Sequence, residues 1–189
     1  MVENVGVDAE RALEQGRGAY TDRAWADAFD ALSRASQQQL LPPHDLELLA
    51  HSAYMRGLDH EYRAALEQAY HAYRDAGDGS RAARCAWWIG HNHFALGHAA
   101  PARGWFARGQ RLLEREPRES VARGYLLIPT LFEHSGNGEF AAAYATAGTI
   151  AAIGERLGDP DLVALGAPIL TGKQLTVAES YRDALGCRA

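Results

Sequence analysis

The stretch Gly90-His-Asn-His-Phe-Ala-Leu-Gly97-His-Ala-Ala-Pro101-Ala102-Arg-Gly-Trp-Phe106-Ala-Arg-Gly109 decides how this chain is read. Two runs of helix formers meet at Gly97, where a helix end needs a left-handed residue that glycine adopts without steric cost. Pro101 follows at the distance of a first helical turn, where its missing N–H would have had no partner anyway. Gly90, Ala102 and Gly109 put small residues where two antiparallel helices must approach closely. The segment therefore predicts a helix hairpin.

The same punctuation recurs outward from this hairpin, at Gln37 to Pro43, Gly77-Asp78-Gly79, Glu116-Pro117, Gly136-Asn137-Gly138 and Gly158-Asp159-Pro160. Between the breaks Ala, Leu, Glu, Arg and Gln dominate, with apolar positions recurring at three and four, so about ten helices and almost no strand are expected. Asp22 is read as the cap of the helix carrying Trp25, and Ser80 as the cap of the one carrying Trp87. Gly57 and Gly97 are read as left-handed C-terminal residues.

Anchoring on a small residue early in the second helix of each pair gives Ala28, Ala65, Ala102, Ala143 and Ala178, at separations of 37, 37, 41 and 35. Three residues earlier stand Trp25, Tyr62, Ala99, Phe140 and Leu175, the bulky ones expected to wedge into a neighbouring hairpin. Seven later stand Ala35, Ala72, Gly109, Ile150 and Leu185. A period near 34 with this alternation of small and large residues resembles the tetratricopeptide repeat. The fold expected is all-α: one domain, 1–189, a helical solenoid of about five hairpins at 8–36, 44–75, 80–116, 118–157 and 160–186. A plain helix bundle is the alternative, because periodicity alone does not fix topology. The fifth hairpin fits least well, since Pro168 falls inside its first helix and Arg182 takes an apolar position.

Composition narrows the function. The chain is 47% hydrophobic and 23% charged, with 19 Lys and Arg against 24 Asp and Glu and a net charge of -5. A protein that neutralises many phosphates usually carries the opposite sign, so direct nucleic-acid binding is not expected. Cys85 and Cys187 stand too far apart for metal-type spacing, and reduced thiols are the default. The N-terminus lacks the pattern of a secretory signal. Ala141 to Gly154 is apolar but shorter than a bilayer span, and a cytoplasmic, non-membrane protein is the expectation.

The stretches Gly16 to Tyr20, Ala24 to Ala35, Asp45 to Ala50, Tyr70 to Asp78 and Arg84 to Gly90 resemble the helical-repeat region of actinobacterial LuxR-type transcriptional regulators. The likeness covers roughly residues 9–165. In that family such repeats precede a C-terminal helix-turn-helix, whereas residues 166–189 depart from the pattern. The resemblance implies an interaction or sensing module rather than a DNA-reading one.

Motifs that suggest chemistry fail on their context. His91-Asn92-His93 matches a nuclease signature in letters, but such a site holds its metal between a β-ribbon and a helix, and here the triplet lies in a helical run. The eight histidines contain no HExxH pair. Ala167 to Lys173 is close to a phosphate-binding loop, yet Gln174 stands where Ser or Thr would meet Mg²⁺. The chain is therefore read as non-catalytic, with no cofactor and no metal.

In the repeat register the first helix of each pair lines an inner wall, and the candidate groove residues are Arg17, Tyr20, Tyr54, Arg84, Trp87, His91, Phe94, Tyr125 and Phe132. Aromatics supply contact area and arginines pair carboxylates, which suits a protein or peptide partner. The alternatives are a small molecule held in the groove, and aromatics that are simply core. At the far end, Leu170, Leu175 and Tyr181 lack a further hairpin to cover them, and self-association through the C-terminal hairpin is expected.

Overall fold

The computed structural model describes residues 2–116 and 118–170. The expected second helix of the fifth hairpin, with Leu175, Ala178, Tyr181, Arg182 and Leu185, lies outside the described residues. So do Cys187 and the end of the loop-like run at Lys173.

Among the described residues the chain is helical throughout, with no strand. It divides into two compact units, Met1–Asp78 and a second from Gly79 onward. The first holds α1 (Val2–Thr21), α2 (Trp25–Gln38), α3 (Pro43–Met55) and α4 (Asp59–Asp75). The second holds α5 (Gly79–Ala95), α6 (Ala99–Glu114), α7 (Val121–Gly136), α8 (Phe140–Leu157) and α9 (Pro160–Leu170). Nine helices are thus seen among the described residues where about ten were expected for the whole chain. Within the first unit α1 packs on α2 and α3 on α4; within the second α5 packs on α6, α7 on α8 and α8 on α9.

Glycine ends most of these helices. Gly57, Gly77, Gly97, Gly138 and Gly158 all have φ between 68° and 78°. At each turn an N–H reaches back five residues, as from Leu58 to Ala53, His98 to His93 and Glu139 to His134. This closes the carbonyls that the helix end leaves open. Arg23, at φ 58°, fills the same slot after α1 without being glycine.

Both expected side-chain caps are corrected. Asp22 lies inside the tight turn through Arg23, and the residue preceding α2 is Ala24, whose N–H bonds the Ala19 carbonyl. α5 already starts at Gly79, which puts Ser80 in its first turn.

The turn geometry also moves one anchor of the repeat. The N–H of Ala28, Tyr62, Ala102 and Ala143 bonds the carbonyl of the residue that precedes its helix. Tyr62, not Ala65, is therefore the counterpart of Ala28, and the separations become 34, 40 and 41. Ala65 is buried too, because a shift of three residues stays on the same helix face. Seven residues on, Ala35, Ala69, Gly109 and Ile150 are all buried, whereas Ala72 is only half-buried.

Two hairpins cross at a pair of positions sixteen residues apart. In α1/α2 a Cβ on Gly16 would stand 2.6 Å from Leu32 Cγ; in α5/α6 a Cβ on Gly90 would stand 2.6 Å from a Phe106 ring carbon. The matching positions are Ala50 and Leu66 in α3/α4, and Leu131 and Ala147 in α7/α8, all buried. At the same register α3/α4 also carries its smaller residue on the first helix, whereas α7/α8 carries the larger one there. The wedge residues behave unequally: Trp25 packs edge-on against Tyr20 at 5.4 Å, but Phe140, leading α8, is 63% exposed.

α9 is seated by glycines as well. Leu162 is fully buried against Gly124, and a Cβ on Gly166 would lie 2.9 Å from the Ala147 carbonyl oxygen. Asp159 caps α9 through Leu162 N–H at 2.8 Å, with Pro160 as the helix's first residue.

Two glycine replacements should have opposite signs. Gly148, within α8, has open space around it, and Gly148→Ala should stabilise by about 0.5–1 kcal/mol through helix propensity. Gly90→Ala and Ala102→Leu should instead destabilise by about 1–3 kcal/mol through overpacking at the α5/α6 crossing. Urea unfolding midpoints of the three variants measure this, and a stabilising Gly90→Ala would refute the crossing.

Candidate functional site

The predicted groove residues of the first unit are engaged with the protein itself. Arg17, on α1, donates from Nε and a terminal nitrogen to the two carboxylate oxygens of Asp45, both at 2.7 Å. Asp45 is fully buried in the first turn of α3, while the Arg17 side chain is 48% exposed. The pair ties α1 to α3, and Asp45 beside it holds the guanidinium even more firmly protonated than usual. Arg17 is thus occupied by an internal carboxylate where a partner's carboxylate was expected.

Tyr20 is likewise held. Its hydroxyl lies 2.6 Å from His51 Nδ1, and the rings of Tyr20, Trp25 and His51 stand within 5.3–5.5 Å of one another. Burial lowers the proton affinity of His51 below the ordinary histidine range, which favours the neutral ring beside the Tyr20 hydroxyl. Burial and the nearby Glu47 raise the Tyr20 phenol above its ordinary range. Glu47 in turn accepts a 2.7 Å bond from the Tyr73 hydroxyl of α4. Tyr54 is 56% exposed, its ring tilted against Tyr62 at 5.3 Å.

In the second unit the groove set divides between interior and surface. Trp87 and Tyr125 are 3% and 5% exposed, within a core that also includes Leu126, Leu131, Ile150 and Leu162. Their ring centroids are 4.7 Å apart. His91, half-buried, stacks on Trp87 at 5.0 Å with 12° between planes. Phe94 and Phe132 are half-buried, and Arg84 is exposed. The Tyr125 hydroxyl donates to Asp159 at 3.3 Å; burial first, then that carboxylate, raises its phenol far above the ordinary range, and Arg84 opposes the shift. The Trp87 indole N–H is buried with no hydrogen-bond acceptor.

His91, Asn92 and His93 all lie within α5, consecutive on a helix and so pointing in different directions. Among the described residues no three His, Cys, Asp or Glu side chains come together as metal ligands. No described helix is long and apolar enough to cross a membrane.

Sequence reasoning missed Asp45, His51 and Asp159, the residues that hold Arg17, Tyr20 and Tyr125. Asp45 and Asp159 read as first-turn acid and turn residue, and separations of 28 and 34 residues from their partners leave no local signal. The second-unit cleft lined by Ser80, Arg84 and Ser120 was missed too, because its sides come from two helices about forty residues apart. No family model matches the chain, and no curated protein or solved structure matches it either.

Two measurements check this geometry. Arg17→Ala leaves a buried carboxylate without its bidentate partner and should destabilise the first unit by about 2–3 kcal/mol. For His91, burial depresses the folded-state pKa below its unfolded value of about 6.5. Its contribution to stability is therefore complete above that pH and is lost as pH falls toward the folded value. His91→Phe keeps the stacking and removes the titration, so the loss of stability between pH 7 and pH 5 should be shallower than in the parent. Equal slopes in denaturant melts would refute the assignment.

Proposed function

We propose that this chain is a tetratricopeptide-like helical-repeat module, related to the repeat region of LuxR-type regulators, that binds a protein or peptide partner and performs no catalysis of its own. The observation that carries the reading is the recurring hairpin: Ala28, Tyr62, Ala102 and Ala143 occupy one position after one kind of turn, each with a buried residue seven further on. A first interval of 34 residues equals the tetratricopeptide period, and repeats of this kind generate extended recognition surfaces. The exposed Tyr54 supplies an aromatic anchor in the first unit. A net charge of -5 supports a role without direct contact to nucleic acid.

The partner expected from the resemblance is a helix-turn-helix regulator of the same cell. Titration calorimetry of the full chain against the regulator encoded nearest its gene should give saturable binding, weakened about tenfold or more by Tyr54→Ala. The chain alone should not retard the corresponding promoter fragment at about 0.15 M salt. Sequence-specific retardation at nanomolar protein would overturn the reading.

A further inference from the structure

One side of α8 packs inward through Ala143, Ala147 and Ile150. The other side is apolar as well. Phe140 is 63% exposed and Tyr144, one turn on, 57%. Ala141 and Ala145 are exposed beside them, Gly148 and Ala152 half-buried, and a Cβ on Gly148 would meet nothing within 4 Å. No charged residue occurs from Phe140 to Gly154. The hydroxyl of Thr149 is turned onto the Ala145 carbonyl of its own helix. An outer helix face ordinarily carries charge, as α6 does with Arg103, Arg108, Arg111 and Glu114 exposed. A contiguous apolar face with two exposed rings marks a contact surface.

The pattern on that face specifies what covers it. Ala141, Ala145, Gly148 and Ala152 follow one another at intervals of four, three and four, a single line down the helix. The rings flank only its first half, and the second half is open. A second α8 laid antiparallel about a two-fold axis near residue 146 puts Tyr144 opposite Gly148 and Phe140 opposite Ala152, in both directions at once. This is the large-on-small pairing already made by Leu32 over Gly16 and Phe106 over Gly90. A two-fold axis also sets each group near its own image, and a face without charge incurs no repulsion there. The first charge on this side, the exposed Glu155, falls beside the N-terminus of the other α8, where a carboxylate is favoured. Glu139 at that end is engaged with His134. A wholly covered ring contributes about 150–250 Å², so four rings more than half exposed supply on the order of 500 Å², and the lines of small residues bring the pair toward the roughly 1,000 Å² of a specific interface.

We propose that the outer face of α8 binds a second copy of this chain, in an antiparallel pair that seats Phe140 and Tyr144 of each copy on Gly148 and Ala152 of the other. An interface of this size is a weak one, and the pair forms reversibly. It uses α8 alone, so it differs from association through the C-terminal hairpin and stands independently of the partner reading.

Sedimentation velocity of the full chain from about 1 to 200 μM should show a monomer–dimer equilibrium. Tyr144→Ser removes an exposed ring at little cost in helix propensity, so it should weaken the dimer about tenfold or more while melting no lower than the parent at the dilute end, where both are monomers. Gly148→Leu separates a fitted contact from general stickiness. It adds apolar surface, which would strengthen non-specific association, but it fills the seat of the opposite Tyr144 and should weaken the dimer about tenfold. A monomer over the whole range, or a dimer that neither substitution weakens, overturns the proposal. A dilute Tyr144→Ser monomer that melts well below the parent overturns it too, because the face is then covered from within the same chain.

Discussion

Everything in this fold depends on how closely two antiparallel helices can approach at one crossing. Gly16 under Leu32 and Gly90 under Phe106 leave no room for even a methyl group, and the bulky side chain fills the space the glycine vacates. The sixteen-residue offset follows from the turn: a left-handed residue after the first helix fixes where the second begins, and thus which side chains face each other. Reversing the order in α7/α8, with Leu131 on the first helix and Ala147 on the second, conserves the pairing of large with small. Interiors packed at crystal density tolerate that exchange better than a net change of volume.

Polar groups in the two units meet different fates. The first unit closes its interior with partners: a buried carboxylate with a guanidinium, a phenol with a neutral imidazole, a second phenol with Glu47. These bonds join α1 to α3 and α3 to α4, so they fix helix orientation as well as satisfying charge. The second unit relies on an apolar and aromatic core, and the unpaired indole N–H of Trp87 and hydroxyl of Ser120 lie in it or at its edge. Trp87 is enclosed among the rings of His91 and Tyr125, and the Ser120 hydroxyl is shut away from solvent where α7 begins.

The helical class and the positions of most turns were legible because glycine and proline act locally, and Gly57, Gly97 and Pro101 stand where that chemistry requires. The alanine register was legible at the first, third and fourth hairpins for the same reason. At the second, alanine at 65 outweighed tyrosine at 62, and a three-residue slip leaves the buried face unchanged, so composition could not expose it. The cap at Asp22 failed because Ala24 precedes α2 and the backbone closes that turn without a side-chain bond, and the cap at Ser80 failed because α5 begins one residue earlier. Of the candidate groove, the residue types were legible but not their engagement. Whether an arginine faces solvent or a carboxylate 28 positions away is decided by tertiary packing.

The short reach of these contacts also has a kinetic side. The bonds from Tyr73 to Glu47, Arg17 to Asp45, Tyr125 to Asp159 and Arg156 to Glu119 span 26 to 37 positions, and each hairpin is complete within about forty. Chains dominated by such local contacts fold quickly, since little loop-closure entropy must be overcome before the first stabilising contact forms. During synthesis the segment through Asp78 has all its internal partners before α5 has emerged. The N-terminal hairpins are therefore able to fold on the ribosome as a cooperative group, with Arg17 meeting Asp45 while the rest of the polypeptide is still being made.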